Sequence, residues 1–320
     1  MAHVTFIHGI ANKPPAGALL DLWLHRLAAT GLDLPAAGVT SAMVYWADVL
    51  YDRPVDSFSR AEALEAAGAE PVSLAWSEGE SRGERTWTAE LAAKLQAALA
   101  AQEAATSEEP ADGGSGEHPD HILLPWFVKE RLMETLLRDL HHYLWNAEHS
   151  PRPGVRYRVQ DEIRRRTVAA LVEGAGQPAP HVVVGHGMGT VIAYDCLKRV
   201  EACPPVDALV TLGSPLGLDE VQRKLQPGWS RHDGFPGERL RGSWINLYDR
   251  LDPVAGFDPH FADDFRWQGR PVLHDVNEQN HGRWRHSATK YLAGPQLGAA
   301  LRDLLGLAGE AQETRSATAG

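Results

Sequence analysis

The sequence has little cysteine, no excess of basic residues and no long uninterrupted apolar run. Its two cysteines, Cys196 and Cys203, cannot build a disulfide scaffold, so we expect reduced thiols in a cytoplasmic protein. A net charge of −11 disfavours non-specific binding to nucleic acid or to an anionic membrane surface. The longest stretch without a charged residue, 174–194, is interrupted by glycines and prolines, so we expect no membrane insertion.

Motifs for targeting and for metal binding are also missing. The beginning MAHVTFIHGI lacks a basic region followed by a long apolar stretch, so we expect no secretory signal. No CxxC or HExxH motif occurs, and the sequence implies neither a metal ion nor an organic cofactor. What is present is 43% hydrophobic and 23% charged residues, the composition of a globular protein with a sizeable core.

Short β-branched or aliphatic runs alternate with longer helical patterns along most of the chain. The predicted strands cover residues 4–7, 41–46, 181–185, 208–212, 244–248 and 271–276. The predicted helices between them cover residues 17–29, 158–172, 188–200 and 295–305. Strands alternating with helices predict βαβ units, and therefore an α/β fold with a mostly parallel central sheet.

Residues 52–155 interrupt this alternation, and divide the α/β core into 1–51 and 156–307. The interruption carries helical patterns at 86–105 and 126–145 but no clear strand. The polar stretch 105–119 predicts a mobile loop, and the last residues, 308–320, predict a flexible tail. Several large apolar side chains here either line a pocket or pack the insertion onto the core: Leu123, Leu124, Trp126, Phe127, Tyr143 and Trp145.

The strongest chemical signal is HVVVGHGMGTVIAYDCL at 181–197, in which a buried strand ends at Gly185 and a helix begins near Met188. The turn Gly185-His186-Gly187-Met188-Gly189 resembles the nucleophile elbow, G-x-S-x-G, of α/β-hydrolases, and its flanks resemble the lipase and esterase branch. Gly187 stands where the resemblance requires the nucleophilic serine. Glycine has no side chain and cannot form an acyl intermediate.

The first predicted strand ends in His8-Gly9-Ile10, and this turn also resembles the family. In α/β-hydrolases a turn at this place supplies one of the two backbone amides that stabilise the oxyanion. The resemblance therefore implies that the oxyanion hole consists of the N–H groups of Ile10 and Met188.

The acid and the base of a catalytic triad are implied by the family order of nucleophile, acid and histidine. Asp252 follows the predicted strand 244–248 and is the expected acid, with Asp249 as the alternative. His286 follows the last predicted strand and is the expected general base, with His281 as the alternative. Ser214 is a conceivable substitute nucleophile, but it lacks the elbow context and we interpret it as structural.

The resemblance implies an α/β-hydrolase fold with an inserted helical cap, and an esterase- or lipase-like activity on a small-molecule ester or acyl substrate. Amides, thioesters and lactones are also compatible with such a triad. Gly187 leaves three interpretations: a disabled form of a working enzyme, a pseudoenzyme that binds an ester-like or acyl ligand, or weak hydrolysis in which His286 activates water. We favour the first.

Two other classes of protein have less support in the sequence. A strand, a glycine-rich turn and a helix also build a dinucleotide site, but G-x-G-x-x-G fails here because residue 190 is threonine. That interpretation also leaves Asp252 and His286 without a role. A pure interaction protein that binds partners through residues 52–155 needs no pocket at His286.

Overall fold

The computed structural model describes residues 2–55, 81–107, 126–256, 258, 260–281 and 284–307. The predicted loop at 105–119 lies outside these residues from position 108 onward. The predicted tail at 308–320, together with Leu123 and Leu124, also lies outside them.

The centre of the molecule is a six-stranded sheet in which all neighbouring strands are parallel. Its strands are β1 (His3–Ile7), β2 (Thr40–Val44), β5 (His181–His186), β6 (Ala208–Leu212), β7 (Trp244–Tyr248) and β8 (Leu273–Asn277). Their order across the sheet is β2-β1-β5-β6-β7-β8. Three of the four inner strands, β1, β5 and β6, are completely buried, because helices cover both faces of the sheet.

The helices form two layers, one on each face. They are α1 (Ala16–Ala29), α2 (Ala47–Leu50), α3 (Arg82–Ser107), α4 (Trp126–Leu144), α5 (Val159–Ala175), α6 (Met188–Arg199), α7 (Asp219–Leu225), α8 (Ala288–Leu292) and α9 (Pro295–Leu304). One layer consists of α1, α8 and α9, which pack with Phe6 and Val182. The other consists of α2 to α7, which pack with Ile7 and Val183. Adjacent strand residues point to opposite faces, so each strand contributes to both cores.

The predicted α/β architecture, a mostly parallel sheet flanked by helices, is confirmed. The sequence of 52–155 shows no clear strand, yet the structure places β3 (Glu148–Arg152) there, paired with β4 (Val155–Arg158) in an antiparallel hairpin. β3 is polar and contains Pro151, and β4 has only two apolar residues, Val155 and Tyr157, so the apolar alternation is too short to reveal the hairpin. The predicted strand 271–276 begins only at Leu273, because Pro271 has no N–H for the ladder.

The described helices of the inserted segment, α3 and α4, share one hydrophobic cluster with the sheet. The indole of Trp87 on α3 donates a 2.8 Å hydrogen bond to the carbonyl of Glu220, and Tyr143 on α4 donates one of 2.7 Å to Asp195. Within the described residues no helix is both long and apolar enough to cross a membrane.

Candidate active site

The turn between β5 and α6 has the backbone of a strained strand-to-helix elbow. Gly187 has φ 51° and ψ −121°, a conformation that residues with a Cβ adopt at a cost of about 1–3 kcal/mol. Gly189 is required by space: a Cβ there would lie 2.2 Å from the carbonyl oxygen of Ile7. Helix α6 can therefore start directly against the end of β1, which brings the HG turn and the elbow together.

Asp252 and His286 form a buried hydrogen-bonded pair beside this elbow. Nδ1 of His286 lies 3.0 and 3.1 Å from the two carboxylate oxygens of Asp252. Burial opposes ionisation of Asp252, but its pKa lies below the ordinary value because of His286, the N–H of Val254 and the hydroxyl of Tyr291. An ionised carboxylate only accepts hydrogen bonds, so we infer that the ring proton is on Nδ1 and that Nε2 carries the lone pair.

The free nitrogen of His286 is aimed at residue 187. An ideal Cβ built on Gly187 would lie 3.1 Å from Nε2 of His286. The side chain of His286 is only 3% exposed, and among the described residues Nε2 has no hydrogen-bond partner. The ring nitrogen that faces residue 187 is therefore buried and, among the described residues, without a hydrogen-bond partner.

The HG turn lies on the other side of the same point. The Cα of Gly9 lies 3.9 Å from the Cβ position of residue 187, and a Cβ on Gly9 would lie 2.8 Å from Nδ1 of His186. Within the described part of the chain, neither the Ile10 N–H nor the Met188 N–H donates a hydrogen bond. Two unused amides therefore lie on the backbone around Gly187, at the residues expected from the sequence.

Two residues that contact the pair were not expected from the sequence. Tyr291, on α8, donates a 2.7 Å hydrogen bond to Asp252. Nε2 of His186 lies 3.0 Å from the backbone oxygen of His286, and the two rings are 4.9 Å apart. The pKa of His186 is far below its ordinary value because of burial and the nearby charges of His286 and Lys13. The neutral His186 ring thus bonds to the backbone of the loop that carries His286.

The alternative residues occupy other positions. Asp249 accepts from the N–H groups of Leu251 and Asn280 and contacts Arg285, and within the described residues it makes no hydrogen bond to His286. The backbone oxygen of His281 accepts from the ammonium of Lys290.

The hydroxyl of Ser214 bonds to Thr190 and Leu216, and within the described residues it makes no hydrogen bond to Asp252 or His286. Its Oγ lies 2.7 Å from the Oγ1 of Thr190 and accepts the N–H of Leu216. Thr190 in turn donates to the carbonyl of Gly187. This chain of bonds fixes the carbonyl of Gly187 at the elbow.

Two of the aromatic side chains expected at a pocket or a packing interface, Tyr143 and Trp145, are described, and both pack against other residues. Tyr143 is buried against Asp195, and Trp145 packs against Trp87 and His141. The side chains of Trp126 and Phe127 lie outside those described. In the described ranges, no group of three or more His, Cys, Asp or Glu side chains is arranged to hold a metal ion.

Comparisons with known proteins place few constraints on this chain. No protein-family model matches it, and no curated protein matches it. Among solved structures it is similar to acetyl xylan esterase 1 from Thermoanaerobacterium sp. JW/SL YS485, at 11% identity, with a TM-score of 0.32, over 88% of this chain and 70% of that one. A likeness this slight carries no argument. The parallel sheet with its strand-to-helix elbow is that of an α/β-hydrolase-like fold on its own geometry.

Proposed function

We propose that the chain is a carboxylic ester hydrolase of the serine-hydrolase type in which Gly187 occupies the nucleophile position, so that it forms no acyl-enzyme as it stands. The observation that carries this proposal is the orientation of His286. Its Nδ1 is bonded to Asp252 and its buried, unpartnered Nε2 points at residue 187. A base held in this way is placed to remove a proton at that point.

With a serine at position 187, each group has a defined task. His286 takes the hydroxyl proton as the oxygen attacks the ester carbonyl, and Asp252 stabilises the imidazolium. The amides of Ile10 and Met188 donate to the oxygen that gains charge, and the N-terminus of α6 adds its dipole. His286 then returns the proton to the leaving alcohol, and water releases the acid by the same steps.

A second candidate is a binding protein for an ester-like or acyl ligand. It is favoured by the presence of two unused amides, those of Ile10 and Met188, and of the unpartnered Nε2 of His286 around Gly187, which has no side chain. The two amides can donate hydrogen bonds to a carbonyl or carboxylate oxygen, and Nε2 can accept one from a ligand hydroxyl or N–H, without any bond being cleaved. The two buried thiols, Cys196 and Cys203, support the cytoplasmic setting expected for either function.

Restoring the nucleophile tests the proposal directly. We would compare the chain with Gly187→Ser and with Gly187→Ala, using a fluorophosphonate probe and a panel of chromogenic esters. The alanine variant is the matched control, because it adds the Cβ near Nε2 of His286 without the hydroxyl. Adding His286→Gln to the serine variant tests the base.

Labelling and turnover confined to Gly187→Ser, and abolished by His286→Gln, would support an ester hydrolase. A folded Gly187→Ser protein that neither labels nor hydrolyses any ester would overturn the proposal. In that case, binding of a non-hydrolysable phosphonate diester to the unchanged chain, measured by calorimetry, would support the second candidate.

A further inference from the structure

Two consecutive peptide groups of the HG turn are held by side chains from elsewhere in the molecule. The Gly9–Ile10 peptide contains the N–H proposed for the oxyanion hole, and the Ile10–Ala11 peptide follows it. A trans peptide is planar, with its C=O and N–H pointing in opposite directions. A side chain that binds one end of such a group therefore sets the direction of the other end.

The first peptide is oriented by His8. The backbone N–H of Trp46 donates to Nε2 of His8 at 3.0 Å, so in the neutral ring the proton is on Nδ1. Nδ1 then donates to the carbonyl of Gly9 at 2.8 Å. Complete burial and the charge of Lys13 lower the pKa of His8 to about 3, which keeps this arrangement at neutral pH. The Ile10 N–H consequently points away from His8.

The second peptide is oriented by Asp139, a fully buried residue of helix α4 in the inserted segment. The N–H of Ala11 donates to Oδ2 of Asp139 at 3.0 Å. Ala11 has φ 69°, a left-handed conformation that a residue with a Cβ rarely adopts without a stabilising contact. The carboxylate is itself fixed by the hydroxyl of Tyr51 at 3.1 Å and by the guanidinium of Arg138 at 2.7 Å.

We propose that Asp139 is a positioning residue that holds the Ile10 N–H in the direction of the reacting carbonyl. This inference rests on the proposed function, because it assigns the inserted helix a task at the oxyanion hole. Ile10 lies between two fixed peptides, so its N–H direction depends on both. Without the hydrogen bond to Asp139, nothing offsets the cost of the positive φ of Ala11. The turn then relaxes toward conformations in which the Ile10 N–H points in another direction.

The test uses Gly187→Ser as the parent and adds Asp139→Ala or Asp139→Asn. Loss of one oxyanion donor lowers kcat by about 10²–10³-fold, and misdirection of the amide should lower it by about 10- to 100-fold. KM should change by less than about threefold, because the donor acts on charge that develops in the transition state. Asparagine retains one acceptor oxygen, and its variant should fall between the parent and the alanine variant.

Tyr143→Phe is the matched control, because it removes another buried hydrogen bond of helix α4, the 2.7 Å bond from its hydroxyl to Asp195, about one helical turn from Asp139. Its kcat should stay within about twofold of the parent. A folded Asp139→Ala protein with kcat within twofold of the parent would overturn the inference and leave the proposed function standing. A parent that neither labels nor turns over would instead overturn the proposed function.

Amide signals in the unchanged chain provide a readout that needs no activity and no restored nucleophile. In Asp139→Ala, hydrogen exchange at the Ala11 amide should be at least tenfold faster, and the Ile10 amide resonance should move. If both signals are the same with and without Asp139, the positioning role is wrong whatever the esterase assays show. Comparison with Tyr143→Phe separates this effect from a general loosening of α4.

Discussion

The hydroxyl of Tyr291 joins the two aspartates of one loop: it donates to Oδ2 of Asp252 at 2.7 Å and accepts the backbone N–H of Asp249 at 3.0 Å. Burial and the charge of Asp252 raise the pKa of Tyr291 well above its ordinary value, so the hydroxyl keeps its proton and remains a donor. Helix α8 thus fixes the position of the acid through the same carboxylate oxygen, Oδ2, that lies 3.0 Å from Nδ1 of His286.

Tyr291→Phe should lower the free energy of unfolding by about 1.5–3 kcal/mol, the usual worth of a hydrogen bond to a charged group. Urea titration followed by tryptophan fluorescence measures the change. Tyr157→Phe is the control, because within the described residues its hydroxyl donates no hydrogen bond, and it should shift the value by less than about 0.5 kcal/mol. Equal effects of the two changes would show that the contact with Asp252 contributes nothing to stability.

In the Gly187→Ser background, Asp252→Asn should lower kcat by about 10³–10⁴-fold, because the amide no longer stabilises the imidazolium or fixes the tautomer of His286. Asp249→Asn should have a much smaller effect, since Asp249 bonds to Leu251 and Asn280 instead. Steady-state kinetics on one chromogenic ester measures both. The reverse order of effects would make Asp249 the acid and our assignment wrong.

Gly187→Ala should destabilise the chain by about 1–3 kcal/mol through its positive φ, and by a further amount through the 3.1 Å approach to His286. Gly154→Ala isolates the backbone contribution, because Gly154 also has a positive φ of 79° but a Cβ there has nothing within 4 Å. Chemical denaturation of both variants gives the difference. If Gly154→Ala were the more damaging, the space around residue 187 would be looser than the geometry indicates.

Stability should fall as the pH is lowered from about 6.5 toward 3, in part because of His8. Burial, followed by the charge of Lys13, lowers the pKa of His8 in the folded chain to about 3, whereas the unfolded chain retains about 6.5. Between these two pH values His8 is protonated in the unfolded state and neutral in the folded state. Each such group contributes about 1.4 kcal/mol of lost stability per pH unit.

His8→Asn removes this contribution, so its unfolding free energy should depend less steeply on pH than that of the unchanged chain, by about one proton. The other buried histidines, among them His181 and His186, remain in both proteins and cancel in the comparison. NMR titration of the His8 ring is an independent measurement. A ring that takes up its proton near pH 6 in the folded chain contradicts the prediction.

Most of the sheet is predictable because its strands are short runs rich in aliphatic, β-branched or aromatic residues, and helices cover both faces. The strands at 208–212 and 244–248 have the predicted bounds, and the elbow follows from its own glycines. Only the family order of nucleophile, acid and histidine predicts that Asp252 pairs with His286. In the structure the two side chains lie at hydrogen-bond distance. Local sequence alone gave no reason to choose between Asp252 and Asp249.

The contributions of Asp139, His186 and Tyr291 could not be predicted, because nothing in their neighbouring sequence distinguishes them. Asp139 is 128 positions away in the sequence from Ala11, to which it bonds. Tyr291 bonds to Asp252 because α8 packs against the loop that carries this aspartate. Such contacts depend on where whole elements pack. The polar hairpin of β3 and β4 was missed for a different reason, since its backbone pairing requires no hydrophobic pattern.

The sheet order has a consequence for how the chain reaches this state during synthesis. The first strand pairs on one side with β2 and on the other with β5, where His3 is matched to His181. The nascent chain therefore cannot complete its central pairing until β5 has left the ribosome, and pairing over such long separations is slow. The HG turn follows β1 and the elbow follows β5, so the two halves of the site meet only when the sheet closes. The geometry of the candidate site therefore depends on the same long-range pairing as the centre of the sheet.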